Sequence, residues 1–184
     1  MFDSNQTQQT TRHDTQVTVF PSRQRFEAGV TRVLSHHSGE QDCAVLHVAL
    51  QGSSGTGSVS LRMLNLVGNA LRAGTRRGCL AYLGDAEFAV LLQDTDAREA
   101  AAYARTLAIV IESFHTHWED EVLTVQASIG GVMAGDGQDG HELLRQARDA
   151  GRLAQAKPGC HVHLRRPEAP ARMRAPLGLE PSFA

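Results

Sequence analysis

Aromatic residues are scarce: Phe, Trp and Tyr make up 5% of the 184 residues. Leucine, valine, isoleucine and alanine must therefore fill any core. No apolar run reaches the ~20 residues that a membrane-spanning helix needs, and no secretory hydrophobic segment opens the chain. Neither sign of charge dominates. Lys and Arg number 18 against 20 Asp and Glu, a net charge of -2, which excludes a strong field for nucleic acid or an anionic membrane. Cysteine is sparse as well: Cys43, Cys79 and Cys160, with no CxxC pair. An odd count without a spacing pattern excludes a disulfide framework and points to a reducing compartment, so the expected location is the cytoplasm.

What is there suffices for one core, since 41% of the residues are hydrophobic. Residues 1–14 are polar and without apolar periodicity, and read as a flexible leader. Residues 165–184 hold four of the six prolines and read as a tail or linker. Residues 15–164 form the expected domain. Within it, Phe26, Val30 and Val33 or Leu34 recur at helical spacing. "CAVLHVAL" is a strand-length apolar run, as expected for a strand covered on both faces. A second helix carries Val59, Leu61, Leu64, Val67 and Leu71. "CLAYL" and "EFAVLL" flank a tight "GDA" and predict a hairpin. Asp96 and Glu99 form a capping pair for a helix running through Ala100, Ala104, Leu107, Ile111 and Phe114. "VLTVQASIGGVM" predicts a strand broken at Gly130-Gly131. "ELLRQARDAGRLAQA" predicts a helix, and "HVHL" a closing strand. The order favours an α/β (α+β) fold, one central sheet covered by helices.

Several groups invite a chemical reading. Gly52 and Gly57 have phosphate-loop spacing, but Ser58 and Val59 stand where the loop's lysine and hydroxyl should be. The stretch therefore reads as a corner. His115 and His117 flank Thr116, and His161 and His163 alternate along a predicted strand and share one face. No third ligand is placed beside either pair, so no metal is assigned. Trp118 lies beside an acidic "EDE".

Four segments, in order, resemble the GGDEF domain of diguanylate cyclases. "TVFPSRQRF" (18–26) is similar to LTGLPNRRxF, with Pro21, Arg23 and Phe26 in place. "YLGDAEFAVLL" (82–92) resembles RYGGDEFxxLL, so the signature here is Gly84-Asp85-Ala86-Glu87-Phe88. "VQASIGGV" (125–132) is similar to VTxSIGVA. "ELLRQA" with "LAQAK" and Gly159 resembles the family's last helix and its AKxxG ending. The resemblance implies a GGDEF, nucleotide-cyclase-like fold with a mostly antiparallel sheet, and formation of cyclic di-GMP from two GTP.

The same resemblance implies carboxylates for two divalent cations, which neutralise the triphosphate and help activate the attacking hydroxyl. One belongs to a "DID" in the first strand, matched here by His47-Val48-Ala49. The other is the third signature letter, matched by Ala86. Asp85 is displaced by one residue, which turns a side chain to the other side of an extended chain. A lone His in an apolar strand reads as a core residue. Glu87 persists, but one acid does not assemble a two-metal site. "QGSSGTG" lacks the Asn, His and Asp that contact the nucleotide in active relatives. The feedback RxxD is matched by Thr75-Arg76-Arg77-Gly78. Lys157 matches a phosphate-contacting lysine, while Cys160 stands where an Arg is expected. What these departures imply is a domain without catalysis, metal or cofactor. It would act as a regulatory or protein-interaction module in cyclic di-GMP signalling. Its partner would be another signalling protein, such as one bearing an EAL domain, or a second copy in a homodimer, and neither nucleic acid nor a membrane. The alternative is a residual GTP-binding sensor or weak cyclase working through Asp85, Glu87 and Lys157.

Overall fold

The apolar run "CAVLHVAL" becomes the middle of the sheet. In the computed structural model, β1 (Cys43–Gly52) is buried from Cys43 to Val48, as a strand sandwiched between two helical layers must be. The structure describes residues 20–36, 42–53, 58–75, 79–118, 121–135, 138–156 and 161–165. The leader 1–14, the loop residues 54–57, Arg76, Arg77, Gly78, Lys157, Cys160 and the tail from residue 166 lie outside them.

Among the described residues, ten elements follow in order. The helices are α1 (Arg23–His36), α2 (Leu61–Gly74), α3 (Ala97–Glu112) and α4 (Gly140–Ala156). The other strands are β2 (Cys79–Gly84), β3 (Glu87–Gln93), β4 (His115–Trp118), β5 (Glu121–Met133) and β6 (Val162–Arg165). The strand order is β2-β3-β1-β5-β4, with β6 beside β5. Among the described residues, the β5–β6 pairing is parallel and the other four pairings are antiparallel. The expected mostly antiparallel sheet covered by helices is what forms. Among the described residues, no helix is long and apolar enough to cross a membrane.

Local chemistry starts the helices. The Asp96 carboxylate accepts from the Arg98 and Glu99 amides while Glu99 accepts from the Asp96 amide, the anticipated capping box. Ser60 caps α2 through the Met63 amide, and Asp139 accepts from Glu142 N at 2.8 Å to open α4.

The sheet sorts its side chains by parity. Leu46, Val48 and Leu50 of β1 join Phe88, Val90, Val125, Ala127 and Ile129 under α2 and α3. Cys43 and Val45 join Ala81, Ala89, Leu91 and Val132 under α1 and α4, against Phe26, Val30, Leu143 and Ala147. His47 has the parity of this second face.

Five expectations need correction. Val59 precedes α2, because the Ser60 cap starts the helix after it. Gly130-Gly131 does not break the strand, and β5 runs on to Met133. The reason is packing. A Cβ on Gly130 would lie 2.0 Å from the Gly151 nitrogen and 2.1 Å from the Ala147 carbonyl oxygen, so its hydrogen is what lets α4 lie on the sheet. Phe114 falls after α3. β4 was not anticipated, because "HTHW" has no apolar alternation; pairing with residues 121–124 of β5 makes it a strand. Arg165, expected to open the tail, ends β6.

Candidate functional site

The signature sits on a two-residue turn. Glu87 opens β3 one residue after the turn pair Asp85 and Ala86, whose φ angles are 48° and 61°, the left-handed pair that a right-twisting hairpin favours. Gly84 before them has φ 95°. Asp85 is exposed. Ala86 turns its methyl against the α2/α3 core and donates its amide to the Tyr82 hydroxyl at 3.4 Å.

β1 passes beside this hairpin. In register, His47 faces Ala89 on β3 and Gly130 on β5. These small neighbours leave room for an imidazole. Gly151 of α4 closes the space, for a Cβ there would come 3.2 Å from His47 Nδ1. His47 is 2% exposed. Its Nε2 lies 3.2 Å from Glu87 Oε2, yet neither ring nitrogen has a well-formed hydrogen bond. The contact is close but not in line.

The third member comes from α4. Arg148, one turn before Gly151, donates from Nη2 to both oxygens of Glu87, at 3.0 and 2.7 Å. Burial lowers the His47 pKa; Glu87 pulls it up by a hydrogen-bond-like contact and by charge, and Arg148 and Arg23 push it down again. The ring is neutral at neutral pH. Burial raises Glu87, but the hydrogen bonds from Arg148 and the close contact of His47 outweigh it, and the carboxyl ends below its usual range. The larger support for its charge is the permanent one on Arg148.

Two divalent cations do not fit these residues. The single carboxylate of the cluster is held by a guanidinium, and the third signature position carries a methyl. Among the described residues, no group of three or more His, Cys, Asp or Glu gathers in the way a metal needs.

The remaining candidates stay apart. His115 and His117 are exposed on β4, with ring centroids 6.2 Å apart. His161 precedes β6 and meets Glu112 of α3 at 3.1 Å, whereas His163 is in register with Gly130 on the α4 side. Their expected shared face does not form. Thr75 caps α2. Arg148 is the residue that sequence reasoning missed. It lies 61 positions from Glu87, and nothing in its local pattern announces the pairing.

The family model described as "Diguanylate cyclase, GGDEF domain" matches residues 57–159, more than half of the chain. The chain belongs to the GGDEF family. Solved structures share the fold of this GGDEF domain. The GGDEF domain of DgcB from Caulobacter crescentus, in complex with c-di-GMP, is 16% identical; the match covers 81% of this chain and 93% of that one, with a TM-score of 0.68. The GGDEF domain of PA1120 (YfiN or TpbB) from Pseudomonas aeruginosa is 22% identical, with 79% and 96% covered and a TM-score of 0.65. The diguanylate cyclase SiaD from Pseudomonas aeruginosa, in complex with its activator SiaC, is 17% identical, with 80% and 59% covered and a TM-score of 0.63. No curated protein sequence matches significantly.

Proposed function

We propose that this GGDEF domain does not turn GTP over and serves instead as a regulatory or protein-interaction module in cyclic di-GMP signalling. One observation carries the reading: the acid retained in the signature, Glu87, is bonded to Arg148 and packed on a neutral His47. Stabilising the transferred phosphate through bound cations contributes several kcal/mol in enzymes that use them. At the two positions where the family resemblance calls for metal-binding acids, this chain offers an imidazole and a methyl. The core motifs persist, so a folded surface is what the sequence retains. SiaD, which shares the fold, is seen with an activator protein; by analogy, the expected partner of this chain is another signalling protein or a second copy of itself.

Incubation of the protein with GTP and MgCl2 or MnCl2 tests the reading. No cyclic di-GMP should accumulate. Metal-dependent formation of it overturns the proposal and favours the weak-cyclase alternative. Calorimetry with GTP and with cyclic di-GMP separates a silent module from a sensor, because only the sensor shows a saturable heat.

A further inference from the structure

We infer that Arg148 is the domain's own counter-cation: its guanidinium occupies the place at Glu87 that a divalent cation would need, and so latches α4 to the signature hairpin and closes the cluster to metal. The inference rests on the reading above for its interest, but not for its test.

The geometry supports it in three ways. First, Arg148 reaches Glu87 from a helix that cannot move away cheaply. α4 lies on the sheet at Gly130, where its backbone is nearer than any Cβ would allow. Second, Glu87 is enclosed enough to need a partner. Its side chain is 18% exposed, against 35% for Arg148 and 3% for His47. A carboxylate at that depth is costly without a positive neighbour. Third, the charge count runs against cations. One carboxylate faces Arg148 directly, and the positive charge of Arg23 is felt at His47 beside it. A cation entering here would meet like charge before it met ligands. The three residues come from α4, β3 and β1: the ion pair ties the helix to the hairpin, and Glu87 packs against His47 of the central strand.

The cluster also retains what a cation would use once the guanidinium is gone. His47 Nε2 and Glu87 Oε2 stand 3.2 Å apart, and the ring nitrogens have no aligned partner. Imidazole with carboxylate is a serviceable pair for Mn2+. Removing Arg148 should therefore convert a closed cluster into a weak metal site.

Thermal melts of the purified protein, with and without millimolar MnCl2 and with no nucleotide, decide the matter. Wild type should melt at the same temperature in both. Arg148→Met should melt lower by about 4 °C, and MnCl2 should restore at least half of that loss. The double variant Arg148→Met, Glu87→Gln should lose the response to MnCl2. Arg148→Lys keeps the charge and guards against a misfolded methionine variant; it should stay blind to MnCl2. A wild type stabilised by MnCl2, an Arg148→Met protein that melts with wild type or ignores MnCl2, or an Arg148→Lys protein that responds to it, each overturns the latch. Failure here and failure of the proposed function are distinguishable. A wild type that binds Mn2+ yet makes no cyclic di-GMP sinks only the latch. One that ignores MnCl2 alone yet turns GTP over sinks only the silent-domain reading.

Discussion

The two faces of the sheet are built to different rules. Under α2 and α3 the sheet offers an uninterrupted apolar surface. Phe88 sits at its centre, with Phe20 edge-on at 5.8 Å and Tyr82 tilted at 5.1 Å. Under α1 and α4 the same strands mix Val45, Leu91 and Val132 with the small residues Ala81, Ala89 and Gly130, and carry the polar cluster of His47 and Glu87. The first face is held by volume. The second is held by close backbone approach and by the Arg148–Glu87 ion pair beside a buried histidine. A face of the first kind tolerates side-chain adjustment, because flexible ends fill small errors. A face of the second kind does not, because backbone lies against backbone.

Adjacent glycines on opposite faces test that difference most strongly. Gly130→Ala pushes a methyl into the Gly151 nitrogen and the Ala147 carbonyl. It should cost about 3 kcal/mol or more. Gly131→Ala meets the methyl ends of Leu164 and Leu46, at 2.4 and 2.7 Å, which can rotate away. It should cost about 1 kcal/mol. Chemical denaturation of both variants measures the gap, and equal losses would erase the distinction between the faces.

A smaller effect separates the faces by pH. Folding lowers the His47 pKa, so below about pH 6.5 the unfolded chain takes up a proton that the folded ring refuses. Stability should fall as the pH drops through that region. Glu87 adds stability above the ordinary carboxylate range, and this is lost at lower pH, as the pH falls through its depressed folded value. Only the α1/α4 face carries these groups. His47→Gln should abolish the upper part of the loss relative to wild type and keep the lower part. Melting curves at stepped pH check this, and a wild type as flat as His47→Gln between pH 7 and 5.5 contradicts it.

The smallest expected change lies at the rim between the faces. Ala86 holds φ 61°, a conformation that glycine adopts without a Cβ penalty. Ala86→Gly should raise stability by about 0.5 kcal/mol, the relief of strain slightly exceeding the added freedom of the unfolded chain. Urea titration reads it, and a loss of stability would show that the methyl's contact with the α2/α3 core outweighs the strain.

Much of the fold was legible beforehand. β1, the β2–β3 hairpin and the capping box of α3 each follow from a few adjacent residues, so their signals survive in one dimension. β4 was not legible, because two histidines, a threonine and a tryptophan become a strand only by pairing with β5. The effect of Gly130 was misread for a related reason. A glycine pair in a strand looks like an interruption until a helix is seen lying on it.

The candidate site divides along the same line. By itself, the sequence determined that the signature reads Gly84-Asp85-Ala86-Glu87-Phe88 and that His47 stands in the first strand, because residue identity needs no coordinates. Only the tertiary structure decided what those residues do to one another. Antiparallel register sets His47 opposite Ala89, two places from Glu87, and the seating of α4 on Gly130 carries Arg148 to the same carboxylate. Coulomb and hydrogen-bond energies act over a few ångströms of space, and 61 residues of chain separate the charges that meet there.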